Sequence, residues 1–234
     1  LISSWLTKAW NKGIKKINLD FMYGLDKQDK TTIRRDLELI KQLKPQQITL
    51  YELRPNMISK KISFTKKELY NQYVQYYDGL INLGYKAHFG QNTFSIDVKD
   101  EGVSSYLRER MLNGVAYKGF GMSAQSMSSY GIAYNVGKLT FAPQKELNSK
   151  GYPEQFTYIL PPVELASKYM AISAYNGSFS IRKLKDFGIN EEYIKEVLDF
   201  CLDEDLLFKG ESDRIFITRK GFIHYGALFV TIYS

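Results

Sequence analysis

The first part of the chain alternates between two hydrophobic periodicities. Apolar residues recur at helical spacing in residues 1–13, 32–43 and 66–84, whereas apolar and polar side chains alternate in residues 17–22 and 47–53. Thr65 and Glu68 have the spacing of a capping box at the start of the third helix. The order helix, strand, helix, strand, helix predicts parallel strands joined by helical crossovers, as in an open α/β sheet or a barrel.

The pattern changes towards the carboxyl end of the chain. Residues 85–89 and 116–120 are predicted as short strands and residues 104–112 as a short helix. Helices are then predicted at 162–175, 180–187 and 190–206, followed by a hairpin whose strands, 207–209 and 214–217, flank turn-forming residues. Three helices followed by a hairpin are typical of a winged-helix module. We therefore predict one domain over residues 1–150 and a winged-helix-like α+β domain over residues 158–234.

Composition favours a globular protein without a metal site of its own. The chain has 234 residues, of which 44% are hydrophobic, enough to bury a sizeable core. No apolar run approaches the roughly 20 residues that span a bilayer, so we expect a cytoplasmic protein with no membrane partner. Cys201 is the only cysteine and lies in an apolar run, which predicts a buried thiol. One cysteine and two separated histidines predict that this chain alone holds no metal.

The net charge of +7 suggests a nucleic-acid-binding protein, a hypothesis that the charge distribution opposes. Residues 158–234 carry 9 Lys and Arg against 11 Asp and Glu, a net charge of −2, which leaves 23 basic and 14 acidic residues, or +9, for the rest. Residues 191–205 carry seven acidic residues against Lys195 alone, a local charge of −6. A recognition helix of that charge would repel phosphate, so we predict no nucleic-acid partner.

Four segments, in order, resemble the radical S-adenosylmethionine (SAM) family of oxygen-independent coproporphyrinogen III oxidase. They are residues 16–25 (KINLDFMYGL), 47–53 (QITLYEL), 119–126 (GFGMSAQS) with Asn135 downstream, and 215–221 (IFITRKG). Asp26 and Lys27 replace the family's Pro-Gly while Gln28 is retained, so we expect an altered turn. The family's Cys-x-x-x-Cys-x-x-Cys signature does not occur in the chain. Because the chain also begins in a predicted helix without an initiator Met, we interpret it as part of a longer protein.

The resemblance implies both fold and activity. The implied fold is α/β, the C-terminal part of a partial (β/α) barrel followed by the winged-helix-like domain. The implied full-length protein is a radical SAM oxidoreductase that uses SAM and a [4Fe–4S] cluster, with the cluster bound by a segment absent from this chain, so we expect this chain alone to be inactive. A tetrapyrrole substrate is implied, and a reductase or flavodoxin is a possible partner. The reaction is either oxidative decarboxylation of coproporphyrinogen III or anaerobic haem degradation or utilisation, and the tail YGALF (225–229) is similar to haem-utilisation members. The alternatives are a haem-binding or trafficking protein without catalysis and a radical SAM methyltransferase.

Two candidate cofactor-binding residues lie on the predicted strands. Asp20 is near the carboxyl end of its strand, where active sites form in strand–helix barrels, on the face opposite Leu19 and Phe21. The resemblance implies that Asp20 accepts hydrogen bonds from the ribose hydroxyls or the methionyl ammonium of SAM; the alternative is an Asp that closes the turn before Gly24. Tyr51 is positioned to stack on a cofactor or a pyrrole ring, or else to pack in the core.

Two further candidates come from the family's pattern. Arg54 occupies a position where the family contacts SAM mainly through the backbone, and its guanidinium can also pair with a carboxylate. Gln125 matches a SAM-contacting position in a glycine-rich stretch that is alternatively a plain tight turn. Outside these, His88 is a possible proton donor or a surface or core histidine, and Arg108 and Arg110 are possible propionate ligands or residues of a solvated helix face. The sequence assigns no catalytic residue.

Overall fold

The structure is a computed structural model that describes most, but not all, of the chain. The described residues are 2–53, 64–96, 108–112, 115–121, 123–128, 131–135, 155–174 and 176–232.

The first sheet contains the two predicted strands in the predicted parallel pairing. Its strand order is β1-β2-β3, with β1 at Asn18–Tyr23, β2 at Gln47–Glu52 and β3 at Thr93–Ser95. Asp20 lies opposite Thr49 in the register of β1 and β2. This part of the chain therefore has the strand–helix–strand connection that the alternating periodicities predict.

The third strand corrects the sequence prediction. Residues 85–89 were expected to form a strand, but only Lys86 forms a bridge there, antiparallel to Ser95, and β3 itself runs antiparallel to β2. The backbone N–H of Gln91 donates to the carbonyl of His88 at 3.1 Å, and Gly90 has a φ of 90°. The chain thus reverses at residues 88–91, between the bridge at Lys86 and β3.

Three helices accompany this sheet: α1 at Ile2–Asn11, α2 at Lys30–Leu43 and α3 at Lys66–Asn82. The capping box predicted for α3 is confirmed, because the Thr65 hydroxyl accepts from the Glu68 backbone N–H while the Glu68 carboxylate accepts from that of Thr65. Apolar side chains of α2, α3 and one sheet face share a core. Its most buried members are Ile33, Ile40, Ile48, Leu50, Tyr73, Tyr76, Leu80 and Phe94.

A second, antiparallel sheet follows that the sequence did not predict. It has the order β4-β5-β6, with β4 at Gln125–Met127, β5 at Gly131–Asn135 and β6 at Gln155–Ile159. The predicted strand 116–120 is reduced to a bridge between Tyr117 and Met127. Of the predicted helix 104–112, residues 104–107 lie outside the described residues, and Arg108–Leu112 form a π-helical turn instead of an α-helix.

The C-terminal part has the predicted three helices and hairpin. The helices are α4 at Pro162–Ala174, α5 at Ile181–Asp186 and α6 at Glu191–Asp203, and the hairpin strands are β8 at Leu207–Lys209 and β9 at Arg214–Ile217. A further strand, β7 at Ser178–Ser180, pairs antiparallel with β9, which gives the order β7-β9-β8. Two short helices, α7 at Arg219–Phe222 and α8 at Tyr225–Thr231, were not predicted.

A second core lies in this C-terminal part. It is formed by α4, α5, α6, the hairpin and α8, and it contains Phe179, Leu184, Ile194, Leu207, Ile215 and Phe229. Cys201 is buried in this core, as predicted, and burial raises the pKa of its thiol. Phe222 packs against both cores. The domain division at 1–150 and 158–234 stays a prediction.

Candidate functional site

Asp20 lies on the face of β1 opposite the apolar core. Asn18 and Asp20 are exposed, whereas Leu19 and Phe21 between them are partly buried. The side-chain amide of Asn18 donates to Asp20 Oδ1 at 2.7 Å, and Asn18 Oδ1 accepts from Thr49 Oγ1 at 3.0 Å. The strand face that carries Asn18, Asp20, Thr49 and Tyr51 is called the polar face below. The Asp20 carboxylate on this face is exposed and able to accept hydrogen bonds from a ligand.

Glutamines close the turn that follows β1. The backbone N–H of Gly24 donates to Gln72 Oε1 at 2.9 Å, so Gln72 performs the role that the alternative interpretation gave to Asp20. Gln28 Nε2 donates to the carbonyl of Met22 at 3.1 Å, and Gln72 Nε2 donates to the carbonyl of Gln28 at 3.2 Å. These bonds fix the end of β1 and leave the Asp20 side chain on the polar face.

The same turn contains a lysine in a left-handed backbone conformation. Lys27 has a φ of 63°, at the position where the resembled family has glycine. A side chain in this region is sterically unfavourable, whereas glycine enters it freely. With Asp26 and Lys27 in place of Pro-Gly, the backbone at residue 27 keeps a conformation that suits glycine. Lys27 adopts it at a cost in backbone strain.

A cavity of about 350 Å³ lies at the carboxyl ends of β1 and β2. The strand ends contribute Tyr23, Tyr51 and Glu52 to its lining, and α8 contributes Tyr225 and Phe229. Ligands of α/β proteins bind at this edge of parallel strands. The structure thus places Tyr51 at the cavity, 42% exposed, on the same sheet face as Asp20, whereas Asp20 itself is not among the described lining residues.

The polar side chains of this cavity are four tyrosines, the Asn92 amide and the Glu52 carboxylate. Tyr23 Oη donates to Glu52 Oε2 at 3.0 Å, and burial together with the negative charge of Glu52 holds the pKa of Tyr23 well above its usual value. Tyr73 Oη donates to the carbonyl of Gln91 at 2.7 Å, and burial raises its pKa as well. Among the described lining residues, Glu52 is the only charged side chain. A carboxylate among aromatic rings suits a cationic group or a flat ring.

The aromatic side of the cavity comes from the end of the chain. The Phe222 ring lies 4.7 Å from that of Tyr73 and stacks on Tyr225 at 5.3 Å with an interplanar angle of 17°. Sequence reasoning did not identify Phe222 or Tyr225 as lining residues. The signal that was available is the spacing of aromatic residues at 222, 225 and 229, although the structure divides these residues between α7 and α8.

Gln125 lies on a different sheet from Asp20 and Tyr51. It is the first residue of β4, where its Oε1 accepts from Tyr117 Oη at 2.6 Å and its Nε2 donates to Tyr134 Oη at 2.7 Å. The two tyrosines hold the amide in place. A role of Gln125 in cofactor binding stays a prediction.

The glycine-rich stretch before Gln125 is a turn held by an asparagine. Asn135 Nδ2 donates to the carbonyls of Gly121 at 2.7 Å and Gly119 at 3.3 Å. A Cβ at Gly119 would lie 2.4 Å from the carbonyl oxygen of Gln125, so only glycine permits this backbone approach. These contacts give Gly119 and Asn135 a structural role.

The remaining candidates do not extend this site within the described residues. Arg54 lies outside them. His88 packs against Phe216 with 4.5 Å between ring centroids, and His224 is exposed immediately before α8. In the part of the chain that the structure describes, no group of three or more His, Cys, Asp or Glu side chains is arranged to hold a metal ion. No helix there is long and apolar enough to cross a membrane.

Comparison with known proteins identifies the fold. No protein-family model and no curated protein matches the sequence. A solved structure of coproporphyrinogen III oxidase from Escherichia coli, a radical SAM enzyme, is similar to this chain with a TM-score of 0.68 and 16% sequence identity. The similarity covers 100% of this chain and 58% of that one, so the chain spans little more than half of the solved protein. The chain therefore has the mixed α/β fold of part of that enzyme.

Proposed function

We propose that the chain is part of a radical SAM enzyme that acts on a tetrapyrrole. In this proposal, residues 1–150 form the C-terminal part of a partial (β/α) barrel and residues 158–234 form a winged-helix-like domain. The structural similarity over the whole chain supports the fold-level part of the proposal. The observation that carries the functional part is Asp20, an exposed carboxylate on the polar face, in the segment whose sequence resembles the family.

The described residues fit SAM and do not fit the cluster. Asp20 offers acceptor oxygens for the ribose hydroxyls or the methionyl ammonium on the polar face, and Glu52 offers a second carboxylate on the opposite sheet face, in the cavity at the strand ends. Cys201 is the only cysteine of the chain and lies in the C-terminal core, so a cluster requires ligands from a segment that this sequence does not contain. When both are bound, SAM and the cluster supply radical hydrogen-abstraction chemistry.

The cavity residues would bind and shield a ligand at the strand ends. Tyr23 stays protonated, so its hydroxyl remains a donor to Glu52, and the Tyr51 ring offers a flat surface beside it. The stacked rings of Phe222 and Tyr225 form an aromatic wall that would shield one side of a bound ligand from water. Exclusion of water strengthens the electrostatic contacts of a bound ligand.

The direct test is calorimetric titration of SAM into the cluster-containing longer protein and its Asp20→Asn variant. Loss of a charged hydrogen bond costs about 1.5–3 kcal/mol, so we expect SAM affinity to fall by roughly tenfold to a hundredfold while the melting temperature is retained. Asp199→Asn, on the exposed face of α6, is the matched control and should leave SAM affinity unchanged. Equal affinities of the wild type and the Asp20→Asn variant would rule out the cofactor role.

A second titration separates the enzyme from the haem-binding alternative. SAM and haem are titrated separately into the 234-residue chain, which we expect to bind SAM measurably without any catalytic activity. Haem binding in the absence of any SAM binding would favour a haem-binding or trafficking protein. The choice between coproporphyrinogen decarboxylation, haem degradation or utilisation, and methyl transfer then requires product analysis with the cluster-containing protein.

The proposed function also implies which partners the protein has. A reductase or flavodoxin would supply electrons to the cluster, and we place the protein in the cytoplasm with no membrane partner. We expect no nucleic-acid partner, because the exposed surface of α6 carries Glu191, Glu192, Glu196 and Asp199. A mobility-shift assay with duplex DNA should show no salt-dependent binding.

A further inference from the structure

A second cavity lies beside the C-terminal hairpin. Its volume is about 620 Å³, and it lies between the turn at residues 88–91, strand β7 and the β8–β9 hairpin. The described linings of the two cavities share no residue. Besides Glu211 and Ser212 of the hairpin turn, the polar side chains that line this second cavity are His88, Gln91, Arg108, Asn176, Ser178 and Arg214.

Asn176 is a buried donor that has no acceptor among the described residues. Its exposed fraction is 3%, and among the described residues its Nδ2 has no hydrogen-bond partner. Buried polar groups in folded proteins almost always have partners, because an unsatisfied one loses its hydration without compensation. An amide nitrogen in this state, in the lining of a cavity, indicates an acceptor that binds from the cavity.

The charged groups of the lining favour an anion as that acceptor. Arg108 and Arg214 both line the cavity, and Arg214 Nη2 donates to Ser178 Oγ, which directs its guanidinium. Arginine is charged at every physiological pH and donates to carboxylate or phosphate oxygens in paired geometry. Glu211 is the one acidic residue of the described lining, and it is exposed on the hairpin turn.

The apolar part of the lining is a stack of flat rings. Phe208 and Phe216 stack with 5.4 Å between ring centroids and an interplanar angle of 20°. The His88 ring lies against Phe216, with 4.5 Å between their centroids. Such surfaces bind planar ligands by offset stacking. The cavity volume is within the range of small-molecule sites.

We propose that this second cavity binds a small organic oxyanion, a carboxylate or a phosphate attached to a flat ring. The oxyanion pairs with Arg108 and Arg214 and accepts from Asn176 Nδ2, while the ring packs against Phe208 and Phe216. None of its residues lines the cavity at the strand ends, so oxyanion binding here does not require SAM binding there.

Calorimetric titration of two probes into the 234-residue chain tests the proposal. Benzoate and phenyl phosphate represent the two possible oxyanions, and we expect at least one of them to bind. Arg214→Gln should weaken that binding at least tenfold, whereas Arg35→Gln, an exposed arginine on α2, should leave it unchanged. Absence of binding by both probes, or equal binding by the Arg214→Gln variant and the wild type, would overturn the proposal.

Asn176→Leu provides a readout that a purely structural residue would not give. Leucine has a similar shape and no donor, so removal of an unsatisfied amide should leave the melting temperature unchanged or raise it, while probe affinity falls at least severalfold. This variant decides the question if Arg214→Gln does not fold. A variant that melts below the wild type, or that retains full probe affinity, shows that Asn176 already has a partner within the protein and refutes the site.

Discussion

Replacement of Gln28 by leucine tests whether side-chain hydrogen bonds hold the end of β1. Gln28 is 6% exposed, and its Nε2 donates to the Met22 carbonyl at 3.1 Å and to Tyr76 Oη at 3.0 Å, while its Oε1 accepts from the Leu25 N–H at 3.2 Å. A hydrogen bond contributes about 0.5–1.5 kcal/mol net, and more when its loss leaves a buried group unsatisfied. Leucine fills a similar volume, so the cavity contribution is small. We expect the free energy of unfolding to fall by about 2–4 kcal/mol.

Urea unfolding and thermal melting both measure this loss. For a chain of this length, 1 kcal/mol corresponds to about 2–4 °C, so the melting temperature should fall by roughly 5–15 °C. Gln42→Leu is the matched control, because Gln42 is exposed on α2 and substitutions at such sites change stability by less than about 0.5 kcal/mol. If the Gln28→Leu and Gln42→Leu variants unfold at the same urea concentration, the hydrogen bonds of Gln28 do not hold this turn.

Two further predictions concern backbone strain and alkaline stability. Lys27→Gly removes a lysine in the left-handed conformation, so we expect the free energy of unfolding, measured in urea, to rise by up to about 1 kcal/mol. The control Lys41→Gly, within α2, should lower it by about 1 kcal/mol. A loss of stability in both variants would contradict the assignment of strain to Lys27. Burial raises the pKa of Tyr85 to about 12, above the value of about 10 for an unfolded chain, so its contribution to stability is complete below pH 10 and is lost between pH 10 and 12. Melting temperatures should fall over that window in the wild type and less steeply in Tyr85→Phe, and identical slopes would refute the contribution of this phenol.

The elements that the sequence predicted are those whose signals are local. The alternation at 17–22 and the capping box of Thr65 and Glu68 each lie within a few residues, and both recur in the structure. The shared face of Asp20 and Tyr51 was also predictable. When two alternating strands pair in parallel, their polar side chains lie on one face of the sheet and their apolar side chains on the other. These predictions required no knowledge of distant contacts.

The elements that the sequence missed depend on contacts between distant residues. The pairing of Ile132 with Tyr158 joins two strands that lie about twenty residues apart in the sequence. The direction of β3 depends on the reversal at Gly90, which a pattern of apolar residues does not encode. The aromatic wall of the first cavity required Phe222 to contact Tyr73, nearly 150 residues earlier in the chain. Local periodicity contains no information about such a pairing.

The first cavity exists because the end of the chain is held against α3. Arg219 forms an ion pair with Asp78 at 2.5 Å, and Tyr70 Oη donates to the Arg219 carbonyl at 3.3 Å. Both side chains of the ion pair are about half exposed, so the pair contributes little and the packing of Phe222 against both cores provides most of the stabilisation. Since α7 and α8 place Tyr225 over the strand ends, a ligand in this cavity contacts both parts of the chain. By linkage, that ligand must also stabilise the contact between them.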